Sequence, residues 1–85
     1  VFLNLINKTD IALLGGVLKN CRALVSVDTG TMHIGVAMKM PVVSLFFVPF
    51  LVDEWAPRDE SYTRVILNED GISASLCFEK LKELI

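Results

Sequence analysis

One stretch constrains this chain more than any other: Val25-Ser-Val-Asp28-Thr29-Gly30-Thr31-Met32-His33. A β-branched apolar run ends in Asp-Thr-Gly, and residues 31–39 read as a short helix. Strand, tight polar turn and helix N-terminus follow one another. The first backbone N–H groups of such a helix have no partner inside it and carry a partial positive charge, so the turn can hold an anion, most often a phosphate.

The rest of the chain supports that turn in order. Residues 1–5 read as a short extended piece, and Asn4 with Asn7-Lys8 marks a turn. Thr9 or Asp10 can cap a helix whose apolar stripe is Ile11, Leu14, Val17, Leu18 and Cys21. Gly15-Gly16 weakens this helix by about 1 kcal/mol per Gly relative to Ala, which implies close packing on a sheet. Lys19-Asn20 ends it. Residues 23–27 form a strand apolar enough to be central, and Pro41 stops the helix that follows the turn. Residues 42–46 are the next strand, 47–60 a loop rich in Pro, aromatics and charge, and 63–67 a further strand. After a turn over 68–71, Ser73 caps a last helix with Cys77, Phe78, Leu81, Leu84 and Ile85 on one face.

Strands alternating with helices predict an α/β fold with a parallel, three-layer sheet. Ligands of such sheets sit beyond the C-terminal ends of the strands. Both Asp28-Thr29-Gly30 and residues 47–60 follow strand ends, so they belong on one rim.

Composition narrows the class. Eighty-five residues make at most one small domain. A hydrophobic share of 53% and a mean hydropathy of +0.56 suit strands buried on both faces. They also imply apolar surface that expects a partner, the rest of a longer chain or a second copy. Val1 stands first, with no charged leader, which leads to the expectation of a piece of a longer protein. With a net charge of −2 and no basic cluster, nucleic acid is excluded as a partner. Cys21 and Cys77 lack metal-type spacing and read as small buried thiols in a reducing compartment. The most apolar run, residues 41–52, is too short to span a bilayer, which takes about 20 residues.

Two common phosphate motifs fail on this sequence. Gly30-Thr-Met-His-Ile-Gly35 has P-loop glycine spacing, but Val36-Ala37 stands where Lys and Ser/Thr are required. No G-x-G-x-x-G follows a strand. Thr29, Gly30 and Thr31 then offer backbone N–H groups, the two threonines add hydroxyls, and Gly30 keeps the approach clear. Asp28 would repel a phosphate, so it either caps the helix or accepts hydrogen bonds from hydroxyls such as those of a sugar. His33, in the first helical turn, can donate to phosphate or hydroxyl. Asp53-Glu54 and Asp59-Glu60 read as solvated pairs, and Arg58 faces either a phosphate or a neighbouring acid.

Asp28-Thr29-Gly30-Thr31-Met32-His33-Ile34-Gly35-Val36-Ala37, then Pro41-Val42-Val43-Ser44-Leu45-Phe46 and Trp55-Ala56-Pro57, together resemble the heptosyltransferase family (glycosyltransferase family 9). These enzymes use ADP-heptose in building the lipopolysaccharide inner core. Asn4-Leu5 with Lys8-Thr9 is similar to the family's lead-in. The likeness covers residues 4–57, about two thirds of the chain. It implies a GT-B architecture, a pair of Rossmann-like domains, with residues 1–85 as the second half of the C-terminal, nucleotide-sugar-binding domain and the N-terminal acceptor domain absent. It implies transfer of heptose or a related sugar from a nucleotide diphosphate sugar to a lipid-linked saccharide of the lipopolysaccharide core, in the cytoplasm or peripherally at the inner face of the cytoplasmic membrane, without metal or other cofactor. Thr29 and Gly30 would meet the diphosphate, and Asp28 and His33 the sugar and phosphate region. The family's general base lies in the missing domain, so no catalytic residue is expected here and these residues alone should be inactive.

The likeness departs at Phe47, where the family has Gly, at Val48-Pro49-Phe50, at Thr31 for Pro and at Gly35 for Ala. A non-catalytic nucleotide- or anion-binding module and a GT-B-like sugar-nucleotide epimerase are the alternatives. Phe46, Phe47, Phe50, Leu51 and Trp55 form an apolar loop that either packs under missing protein or docks a lipid-linked acceptor or membrane surface. An open sheet edge leaves self-association as a further expectation.

Overall fold

The computed structural model describes residues 4–68 and 71–85. The elements run α1 (Ile11–Lys19), β1 (Leu24–Val27), α2 (Gly30–Ala37), β2 (Val42–Phe46), α3 (Pro49–Trp55), β3 (Thr63–Leu67) and α4 (Ala74–Leu84). The strands form one parallel sheet in the order β1-β2-β3. The β-branched runs therefore form the strands expected of them. Residues 1–3 of the expected first extended piece, and 69 and 70 of the expected turn, lie outside the described residues. Asn4 and Leu5 carry no strand.

Alternation along the strands divides the sheet into two faces. Val42 and Phe46 gather with Met32, Met40 and Leu18 into the main core, with Leu24, Leu51, Val52, Val65 and Leu67 against it. The opposite face carries Val43, Ile66 and Arg64, and Arg64 Nε donates to Glu83 Oε1 of α4 at 2.9 Å. Helices thus lie on both sides, α2 and α3 on one and α4 on the other. On the α4 side β1 is uncovered: Val25 and Val27 are exposed. Among the described residues β1 is an edge strand, not the central one that its apolar run predicts.

Several local expectations need correction. Asp10 does cap α1, its Oδ1 accepting from Leu13 N at 2.8 Å. Yet Ile11 and Cys21 of the predicted stripe are exposed, and only Leu18 is fully buried. Gly15 and Gly16 face open space, so no close packing explains them. The glycine that packing does require is Gly35: a Cβ there would stand 2.7 Å from Leu24 Cδ2 and 3.3 Å from Val42 Cγ2. α2 is seated on the sheet at this point.

α2 ends at Ala37, well before Pro41. Lys39 N donates to Val36 O and Met40 N to Gly35 O, with Lys39 in the left-handed region at φ 57°. This paired closure stops the helix before proline is reached.

Residues 47–60 are not a continuous loop, because α3 occupies 49–55. Pro49 sits in its first turn, where the missing N–H costs nothing. Phe46 and Leu51 belong to the core, leaving Phe47, Phe50 and Trp55 exposed. In α4 the Ser73 hydroxyl accepts from Leu76 N, as expected of the cap. Phe78 and Ile85, however, face outward, with Lys82 Nζ 5.4 Å from the Phe78 ring centre. Among the described residues no helix is long and apolar enough to cross a membrane.

Candidate functional site

β1 and β2 are paired in register, Val27 opposite Leu45, so the turns that follow them open on one rim. The turn after β1 carries the site. Thr29 is the N-cap of α2, in extended conformation, and Gly30 is the first helical residue. Asp28 is therefore not the cap. The helix begins one residue earlier than 31 and leaves the carboxylate outside it.

No side chain caps α2. The Thr29 hydroxyl turns back toward the strand, 3.5 Å from Val27 O and 3.4 Å from Ser26 Oγ. Ser26 thus joins the turn, and in the sequence its signal is a lone hydroxyl within an apolar strand. α1 and α4 differ, since Asp10 and Ser73 each accept from a first-turn N–H. The first turn of α2 thus keeps its N–H groups and partial positive charge free of a side-chain cap at the strand C-termini. A Cβ on Gly30 would meet nothing within 4 Å, so the approach is open.

Asp28 and His33 come together beside this turn. His33 Nε2 lies 3.6 Å from Asp28 Oδ1, with His33 about half exposed and Asp28 largely covered. That separation is longer than a hydrogen bond. The pair presents one acceptor-only group and one group that can donate, which suits hydroxyls and phosphate oxygens respectively. The structure thus places Asp28, Thr29, Gly30, Thr31 and His33 in one cluster around the helix start.

Trp55 joins the cluster from α3. Its ring centroid is 6.1 Å from that of His33, and the rings meet edge to face at 71°. The sequence placed Trp55 only on the same rim; the contact became visible once residues 49–55 folded into a helix. Arg58 does not reach the site, since its Nη2 donates to the Asp53 carbonyl. Asp59 serves a local turn. Hydrogen bonds from the Ser61 hydroxyl and backbone N–H hold its carboxyl below the usual 3.8. Among the described residues no group of three or more His, Cys, Asp or Glu could hold a metal ion. Cys21 and Cys77 are free, and neither is fully buried, Cys21 being exposed where burial was expected.

A parallel α/β sheet with an uncapped helix N-terminus at its C-terminal rim is an arrangement that can hold a phosphate. The comparison with known families makes this specific. The family model of glycosyltransferase family 9 (heptosyltransferase) matches residues 1–84, and the chain belongs to that family. Membership makes glycosyl transfer from a nucleotide-sugar donor to an acceptor the general activity of the full-length protein. No curated protein and no solved structure matches the chain significantly.

Proposed function

We propose that the β1–α2 turn is the diphosphate- and sugar-binding part of a heptosyltransferase donor site. The observation that carries this reading is the open N-terminus of α2 beside the Asp28–His33 pair. The backbone N–H groups of Thr29, Gly30 and Thr31 meet the diphosphate. Asp28, repelled by phosphate, accepts from sugar hydroxyls, and His33 donates to a phosphate or hydroxyl oxygen. As the bond from the sugar to the diphosphate breaks, negative charge grows on the leaving oxygens. The fixed N–H dipoles of α2 stabilise it without having to reorganise. In this reading the positive potential comes from the helix and not from a metal ion.

The donor is ADP-heptose or a related nucleotide sugar, and the acceptor a lipid-linked saccharide of the lipopolysaccharide core. The exposed Phe47 and Phe50 face that acceptor or the inner surface of the cytoplasmic membrane. Residues 1–85 form the second half of a nucleotide-sugar-binding domain in a GT-B protein, with the general base supplied from another domain; alone they transfer nothing. One observation favours a second reading, a binding module without chemistry: Phe47 stands exposed on the rim where a glycine would let a nucleotide approach.

Calorimetric titration of the full-length protein with ADP-heptose, ADP, UDP and GDP tests the proposal. Preferential binding of the adenine nucleotides is expected, and binding of none of them overturns it. Transfer to a lipid-linked acceptor separates the enzyme from the binding module.

A further inference from the structure

We propose that Trp55 is a positioning residue of the donor site, fixing the orientation of the His33 imidazole. The inference rests on the donor-site reading above for its functional consequence, but not for its geometry. His33 sits on the first turn of α2 with its side chain about half exposed, so little packing restrains the ring. Asp28, at 3.6 Å, is too far to hold it by a hydrogen bond. The Trp55 indole meets the ring edge to face, the geometry in which the positive edge of one aromatic meets the negative face of the other.

The placement of Trp55 fits this role. It is the last residue of α3, whose Leu51 and Val52 pack on the core, while Trp55 itself stays 57% exposed. A large indole left largely in water contributes little to the core. Its ring meets that of His33, on the first turn of α2. The orientation of His33 therefore depends on the segment after β2 as well as on its own helix.

The test uses the full-length protein with isotope-labelled histidine, the His33→Asn variant assigning the imidazole signals. In the wild type, the imidazole carbon-bound protons are expected to show nuclear Overhauser contacts to the indole and ring-current shifts. Trp55→Leu, which keeps apolar bulk without a ring, should move them to free-histidine positions; Trp55→Phe should keep most of the displacement. ADP affinity should fall about 2- to 10-fold in Trp55→Leu, recover in Trp55→Phe, and fall no further when Trp55→Leu is added to His33→Ala. The backbone amide spectrum verifies the fold, with Trp55→Met as a second ringless variant. Unchanged imidazole signals in the ringless variants overturn the proposal, as does an undiminished cost of Trp55→Leu in the His33→Ala background. If the wild type binds no nucleotide, the donor-site reading falls by itself, and the imidazole signals still decide the role of Trp55.

Discussion

β1 and β2 each run into a short turn and then a helix, yet the two turns offer a ligand opposite chemistry. After β1 come Asp28, Thr29 and Gly30, with an α2 N-terminus that no side chain caps. After β2 come Phe47 and Val48, with Pro49 opening α3. Neither helix is capped by a side chain, so capping alone does not distinguish them. Proline removes an N–H from the first turn of α3, and Phe47, Val48 and Phe50 surround it with exposed apolar surface. One turn can hold an anion; its neighbour can only exclude one or press against something apolar. The contrast sets a turn that can hold an anion beside one that is apolar.

The sharpest way to break the comparison is Gly30→Val. The position has open space, so the melting temperature should stay within a few degrees of wild type, while diphosphate affinity falls by about 100-fold or more, about 2.7 kcal/mol. Unchanged affinity by calorimetry would remove the anion from this turn. Next comes the seat of α2. Gly35→Val drives a side chain into Leu24 and Val42 and should cost about 1–3 kcal/mol in urea unfolding. Gly15→Ala, in open space on α1, should instead stabilise by about 1 kcal/mol.

The apolar turn is tested by Phe47→Ser with Phe50→Ser. Flotation with anionic vesicles should show about tenfold weaker membrane binding. If vesicle binding is unchanged, the membrane-docking role of this turn is wrong.

The smallest effect lies away from both turns. The hydrogen bond from Arg64, with help from Lys80, holds the Glu83 carboxyl below its ordinary 4.5. A carboxylate with a lowered folded pKa stabilises the fold above its unfolded value. That contribution disappears as the pH falls below about 4.5 and through the folded value. Urea unfolding from about pH 6 to 3 should show a slightly shallower acid loss in Arg64→Ala, with no change at either turn.

The same contrast explains what could be read in the sequence. Leu24–Val27, Val42–Phe46 and Thr63–Leu67 were legible because β-branched runs between turn residues leave few alternatives. The polar turn was legible because its chemistry is local. α3 was not, because Pro49 and the aromatics read as loop, although proline in a first helical turn is itself a start signal. The packing role of Gly35, unlike the open space at Gly15 and Gly16, depends on what lies across the helix–sheet interface, and chain order does not state that. The orientation of Phe78 and the His33–Trp55 contact were hidden for the same reason.

The in-register pairing of β1 with β2 makes the sheet a rack in which the turns are interchangeable cartridges. Adjacent strands are spaced about 4.8 Å apart by their hydrogen bonds whatever their turns contain. Phe47 and Val48 can therefore be exchanged for glycine or polar residues without moving Asp28, Thr29 or Gly30. A one-residue deletion inside β2 is another matter. It would shift the second cartridge by about 3.3 Å and turn every later side chain of that strand to the other face. Relatives should accordingly avoid changes of length within Val42–Phe46.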